Sequence, residues 1–375
     1  MSKGEQIDEQ KPDMTLGSPE LSNSRTAERP NAPLFSPPFL KACRREAVPF
    51  TPVWVMRQAG RYMPEYRAIR ERFSFLELCK NSDAAAEVTV LAVERLKVDA
   101  AIIFADILLV AEPMGVGLEF SKGEGPVIHR PVRSAADIEQ LPEVDPFESV
   151  PFVFEAVRKA CAALAGRVPL IGFAGAPFTL ASYLVEGGAS RDYLQTKGLM
   201  YHDSKAWHAL MGLLARTTAR YLNGQIAAGV QVVQLFDSWV GCLAPDDYRE
   251  YVLPHTRDVI RALPPGIPVI HFGTGTAGLL ELMREAGGDI IGLDWRVDLG
   301  EAWRRLGDGV GVQGNLDPVV LLAKPGEIRR RVKTILDHAA ARPGHIFNLG
   351  HGILPTTPVD HAIAMVDAVH ELSSR

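Results

Sequence analysis

The sequence predicts an α/β fold, a single-domain (β/α)8 TIM barrel, and three observations carry that expectation. Eight short runs rich in Val, Ile and Phe alternate with longer amphipathic stretches after residue 50. Most of the runs are apolar at consecutive positions instead of alternate ones, as strands covered on both faces of a parallel sheet must be. Polar residues able to do chemistry follow the runs, and in a barrel the ends of all strands converge on one mouth.

The runs are, in order, "PVWVM" (52–56), "AAIIF" (100–104), "VPLIGF" (168–173), "VQVVQLF" (230–236), "IPVIHF" (267–272), "DIIGLD" (289–294), "GVGVQ" (309–313) and "HIFNL" (345–349). Helix-like segments lie between them at 83–97, 204–228, 245–262, 276–286 and 325–341. Pro245 with Asp246 and Asp247, and Pro325 with Glu327, place proline and acids in a first turn, where a helix has spare N–H groups and a positive dipole end. Counting strands alone does not separate a barrel from a doubly wound open sheet. The strand-end residues favour the barrel: Arg57 and Arg61 after the first run, Asp106 after the second, Asp237 and Ser238 after the fourth. Asp294 follows the sixth, Asn315 and Asp317 the seventh, Asn348 and His351 the eighth.

Bulk properties narrow the function classes. At 375 residues and 47% hydrophobic content the chain can bury a large core. A net charge of -5 with scattered basic residues gives no chain-wide footprint for nucleic acid or anionic lipid. An anionic ligand has to be attracted locally, and Arg57, Arg61, Arg67, Arg70 and Arg72 supply the means against only Glu65 and Glu71. Cys43, Cys79, Cys161 and Cys242 are far apart and form no CxxC pair, which argues against a disulfide framework or zinc ribbon and fits a reducing cytoplasm. No apolar run reaches the roughly 18 residues that span a bilayer, and the N-terminus lacks an apolar targeting core. Residues 1–33, polar and without periodicity, are expected to be a disordered extension, and 34–375 the barrel domain.

Each motif has a bland reading beside its functional one. Arginines four apart, as in "VMRQAGRYMPEYR" (55–67), are commonly solvated helix-face residues. Here Gly60 between them permits φ > 0 or close backbone approach, and the guanidinium fork matches a carboxylate. Asp106 could cap a following helix or face a cationic or N–H-bearing ligand. His351, in a glycine-flanked turn, could be a tethered loop histidine. Tyr183 could be a core aromatic with a tethered hydroxyl, and Ser238 a turn residue. "GTGTAG" (273–278) matches a dinucleotide fingerprint with Asp294 about 20 residues on, but four strand-helix units precede it, whereas such a fingerprint normally opens its domain. No Walker-type loop and no HExxH or His-x-Cys ligand spacing occurs.

The segments "PVWVMRQAGRYMPEYR" (52–67) and "IGFAGAPFTLASYLVEGG" (171–188) together resemble the signature segments of the uroporphyrinogen decarboxylase family. "IIFADIL", "VVQLFDSWVG", "PVIHFG", "GVQGNLDP" and "FNLGHGILP" extend the likeness from about residue 34 to the C-terminus, with Phe178 standing where many members have tryptophan. The resemblance implies a barrel, usually a homodimer in the cytoplasm, that converts uroporphyrinogen III to coproporphyrinogen III by decarboxylating four acetate side chains. It implies no metal or organic cofactor, and neither a nucleic-acid nor a membrane partner. The substrate-binding positions it implies are Arg57, Gln58, Ala59, Gly60, Arg61, Asp106, Tyr183, Ser238 and His351.

Those roles agree with elementary chemistry. An octacarboxylate is held by guanidinium forks, and a protonated pyrrole is an electron sink that a carboxylate would stabilise, which makes Asp106 the first catalytic candidate. Arg57 and Arg61 join it as anchors, although a pKa above ~12 makes arginine a poor general acid. The rival readings are a zinc-dependent corrinoid methyltransferase of the same superfamily, a nicotinamide oxidoreductase resting on "GTGTAG", and a tetrapyrrole carrier without turnover.

Overall fold

Seven strands of the computed structural model form one all-parallel sheet in the order β1-β4-β5-β6-β7-β8-β9. They are β1 (Ala101–Ile102), β4 (Leu170–Gly175), β5 (Val232–Asp237), β6 (Val269–Gly273), β7 (Ile290–Gly292), β8 (Gly311–Gln313) and β9 (His345–Ile346). A separate antiparallel pair, β2 (Leu118–Ser121) and β3 (Gly125–Ile128), lies between β1 and β4 in the chain. The structure describes residues 36–121 and 125–375, together with Met1. The extension expected at residues 1–33 therefore falls, Met1 aside, outside the described residues.

Every sheet strand arises from one of the apolar runs. β4, β6, β7 and β8 are buried at every position, the pattern of strands packed on both faces. The first run contributes no extended strand. Val53 instead makes a parallel bridge to Phe347, its carbonyl accepts from the Asp99 amide at 2.8 Å, and its own amide donates to the Asp99 carboxylate at 2.7 Å. Inside, the Trp54 indole N–H donates to Gln313 Oε1 at 2.9 Å, and Gln313 Nε2 donates to Gln234 Oε1 at 3.1 Å. A polar thread thus runs from the first segment through β8 to β5, with all three side chains buried.

The helices start where their first turns specify. Asn81 caps Ser82–Leu96 and Asp203 caps Ser204–Ala228, each accepting a backbone N–H of the first turn at 3.0 Å. Pro245 and Pro325 sit at the first position of their helices with acids beside them. The helix expected over 245–262 is two, Pro245–Tyr251 and Leu253–Arg261, because Pro254 has no N–H to continue the ladder. The segment expected to be helical from 276 begins its helix at Leu280, after a turn. Among the described residues no helix is long and apolar enough to cross a membrane.

Candidate active site

In a parallel sheet all carboxyl ends lie on one side, so the residues that follow the strands share one face. Arg57 leaves the Val53 segment with φ of 63°, in the left-handed region where a non-glycine side chain costs roughly 1–3 kcal/mol. The sequence suggested Gly60 for such a conformation. The strain falls on Arg57 itself, and Gly60 serves close approach: a Cβ there would stand 3.1 Å from the Arg57 carbonyl. Gln58 spends its side chain inside, accepting from the Val55 amide and donating to the Ala100 carbonyl, each at 3.2 Å, so it shapes the loop that carries Arg57 and half-buried Ala59.

Asp106 stands beyond β1, half-buried. Its Oδ1 accepts the Leu108 amide at 2.8 Å, which fixes the carboxyl at the head of a turn; a cap of this kind leaves Oδ2 uncommitted. Burial pushes its pKa up to about 6, and the Leu108 hydrogen bond and the Arg57 guanidinium keep it from rising further. Tyr183 feels the same pair. Burial and the Asp106 charge raise its phenol to about 12, with Arg57 opposing, so it is a neutral donor at ordinary pH. Arg57 also bears on His351: burial, then Arg57 and Arg296, push its imidazole down to about 4. It is neutral at pH 7.

Arg57 thus lies within the fields of Asp106, Tyr183 and His351, and Asp106 within that of Tyr183. The loop carrying His351 is pressed against the Arg57 side chain, since a Cβ on Gly352 would lie 2.5 Å from Arg57 Cδ. Neither the Tyr183 hydroxyl nor the His351 ring hydrogen-bonds to the described protein, so the tethered readings do not hold for them. Ser238, half-buried after β5, accepts the Thr274 hydroxyl at its carbonyl and keeps its own hydroxyl unbonded among the described residues. Arg61, four residues on from Arg57, borders a cleft of about 340 Å³ with Tyr66, Arg67, Arg70 and Glu71, which none of the other candidate site residues lines.

Sequence reasoning placed Asp237 at a strand end but missed Thr179 and the contact that joins the two. Thr179 and Tyr183 lie one turn apart on the helix Pro177–Glu186. Thr179 donates to Asp237 Oδ1 at 3.0 Å and accepts the Trp239 amide at 3.4 Å. The Trp239 ring in turn packs on Tyr183 with centroids 3.9 Å apart. Asp237 is fully buried with Oδ2 unpartnered, and burial lifts it to about 7 against the Thr179 hydrogen bond. Its position directly before Ser238 was the available signal.

The "GTGTAG" loop has a different occupation from a dinucleotide. The Gly275 amide, at φ of 69°, donates to the buried Asp294 carboxylate, which fills the anion position of that turn. Asp317 caps the short 3-10 helix Pro318–Leu322. Among the described residues no group of three or more His, Cys, Asp or Glu is placed to hold a metal ion.

The model of the uroporphyrinogen decarboxylase (URO-D) family matches residues 35–372. The chain belongs to the uroporphyrinogen decarboxylase family. A uroporphyrinogen decarboxylase of Carboxydothermus hydrogenoformans is 58% identical over 337 residues, covering 90% of this chain and 96% of that protein. One from Sorangium cellulosum is 57% identical over 335 residues, covering 89% and 96%. Among solved structures, a methyltransferase from Methanosarcina mazei superposes with a TM-score of 0.75 at 19% identity, covering 89% of this chain and 97% of that one. At that identity the likeness speaks for the fold alone. It is a family member with Asp106, Arg57 and Tyr183 gathered at one face.

Proposed function

We propose that this face decarboxylates the four acetate side chains of uroporphyrinogen III to methyl groups, yielding coproporphyrinogen III in tetrapyrrole and haem synthesis. The protein is a carboxy-lyase. The observation that carries the reading is the juxtaposition of Asp106 and Arg57 beyond the strand ends of a chain whose family acts on this substrate.

The chemistry follows from the groups present. Arg57 and Arg61 hold peripheral carboxylates, and Gln58, Ala59 and Gly60 shape their loop. Asp106, with its free Oδ2, accepts from the pyrrole N–H groups at the centre of the macrocycle. Proton addition to a ring carbon gives a cationic pyrrole. The bond to the acetate carboxylate then breaks, its electron pair flows into the ring, and carbon dioxide leaves. Proton addition to the exocyclic carbon and loss of the ring proton complete the methyl group, for a net uptake of one proton per carbon dioxide. Asp106, ionised above about pH 6, offsets the transient cation, a preorganised electrostatic stabilisation. Tyr183, Ser238 and neutral His351 hydrogen-bond the remaining carboxylates. None of these steps requires a metal or organic cofactor.

The same reading closes the sheet into an eight-stranded barrel over residues 34–375, with residues 1–33 as an extension that precedes it. Support comes from Val53, which bonds Phe347 on one flank and Asp99 on the other. We also place the protein in the cytoplasm as a homodimer, without nucleic-acid or membrane partners. Anaerobic incubation with freshly reduced uroporphyrinogen tests the activity. After oxidation, chromatography should separate porphyrins with seven, six, five and four carboxyl groups. Recovery of the eight-carboxyl porphyrin alone would overturn the reading.

A further inference from the structure

A third guanidinium stands beside His351. Arg296 follows β7 in "DWR", and the loop that carries His351 is pressed against this segment: a Cβ on Gly350 would lie 2.4 Å from the Trp295 amide nitrogen. The Trp295 ring meets the His351 ring edge-on at 6.5 Å. With Gly352 against Arg57, a continuous arc runs from Arg57 through His351 and Trp295 to Arg296.

The side chain is held as a ligand-binding arginine would be. Asp294 Oδ1 accepts the Arg296 amide at 2.8 Å and Oδ2 accepts Nη1 at 2.7 Å. The guanidinium carbon sits 3.9 Å from the centroid of the Trp295 ring, a cation–π contact that fixes the plane of the fork. The exposures are unequal. The Asp294 side chain is 1% exposed and that of Arg296 is 53% exposed. Asp294 accepts the Gly275 amide besides the amide and Nη1 of Arg296, while Nε and Nη2 of Arg296 donate to nothing among the described residues. One edge of the fork is spent on orientation and the other is presented outward.

We infer that Arg296 is a further substrate-binding residue, anchoring a peripheral carboxylate of the tetrapyrrole on the His351 side of the mouth. The inference rests on the decarboxylase reading. A ring bearing eight carboxylates must present four acetates in turn to one Asp106. While one acetate reacts, carboxylates elsewhere on the rim need cationic partners away from Arg57, and Arg296 is a preorganised one.

The test compares Arg296→Gln, the double variant Asp294→Asn/Arg296→Gln, and Arg329→Gln, which removes an equal charge from a distant helix paired with Glu371. Steady-state turnover of uroporphyrinogen is read beside binding of oxidised uroporphyrin, followed by quenching of tryptophan fluorescence, and thermal melts check the fold. Loss of one charge-assisted anchor should raise KM and the porphyrin Kd about tenfold, with kcat within about threefold of wild type. Salt should weaken binding less than in wild type. The double variant, which leaves no unpaired buried carboxylate, should behave alike and decides the matter where the single one does not fold. Arg329→Gln should change neither constant. KM and Kd within about twofold of wild type, in a protein that turns over, overturn the role of Arg296 and leave the decarboxylase reading standing. A wild-type protein that neither decarboxylates uroporphyrinogen nor binds uroporphyrin overturns both.

Discussion

Arg57 bears on Asp106 from a left-handed backbone, so the cation whose field lowers the half-buried carboxyl is carried by a strained main chain. The two groups oppose each other in a defined way. Burial raises Asp106, the Leu108 amide and Arg57 resist, and the balance leaves an acid of about 6 that is ionised at neutral pH.

Asp106→Asn should keep the fold, because the amide oxygen can still accept from Leu108. It should lower kcat/KM at least ~100-fold, the loss of about 2.7–4 kcal/mol of transition-state stabilisation. Near-normal turnover in a folded variant would remove the cation-stabilising role.

The pH profile carries the same assignment. In the proposed mechanism the active form is the carboxylate, so kcat/KM should fall as pH drops through about 6. His351 titrates near 4 and stays neutral across that limb. A flat profile from pH 5 to 8 in wild type would contradict it.

Gly352→Ala should reproduce the effect of Arg57→Ala without removing a charge. The new Cβ would sit 2.5–3.0 Å from Arg57 Cδ, Nε and Cγ, atoms of a flexible side chain that can swing aside. Both variants should raise KM, and Arg57→Ala should also lose part of the salt sensitivity of substrate capture. An unchanged KM in both would dismiss the clamp.

His271→Leu should stabilise the protein in mild acid. His271 is buried in β6 with neither ring nitrogen hydrogen-bonded, and burial pushes it down to about 4, with carbonyls of Gly287 and Met283 pulling weakly the other way. The unfolded chain takes up this proton near 6.5 and the folded one near 4, so wild-type stability falls as pH drops through that window. The melting temperature gained by the leucine variant should be larger at pH 5 than at pH 8. An equal gain at both would show that the imidazole does not titrate as described.

Much of the scaffold was legible because parallel strands advertise themselves by unbroken apolar runs, and each run found its place in the sheet or, for "PVWVM", in a bridge at Val53. Proline with acids behind it marked the helix starts at 245 and 325. What a single chain of letters hides is conformation and long-range company. Nothing local tells that Arg57 adopts positive φ, that Pro254 breaks one helix into two, or that Thr179 meets Asp237 58 residues away. Arg296 escaped notice for the same reason: its neighbours His351 and Arg57 belong to other loops. The antiparallel pair at 118–128 was missed because each of its strands is only four residues long, too short for a secure period.

The thread from Trp54 to Gln313 also dictates an order of events during synthesis. The indole waits for a partner 259 residues downstream, and the Met56 amide for one 292 residues downstream. At about 5–20 residues per second, a ribosome leaves that apolar segment without its final neighbours for roughly 15–60 seconds. The earliest-made apolar segment therefore stays without its native neighbours until translation nears its finish, an interval in which exposed apolar surface is open to association with other chains.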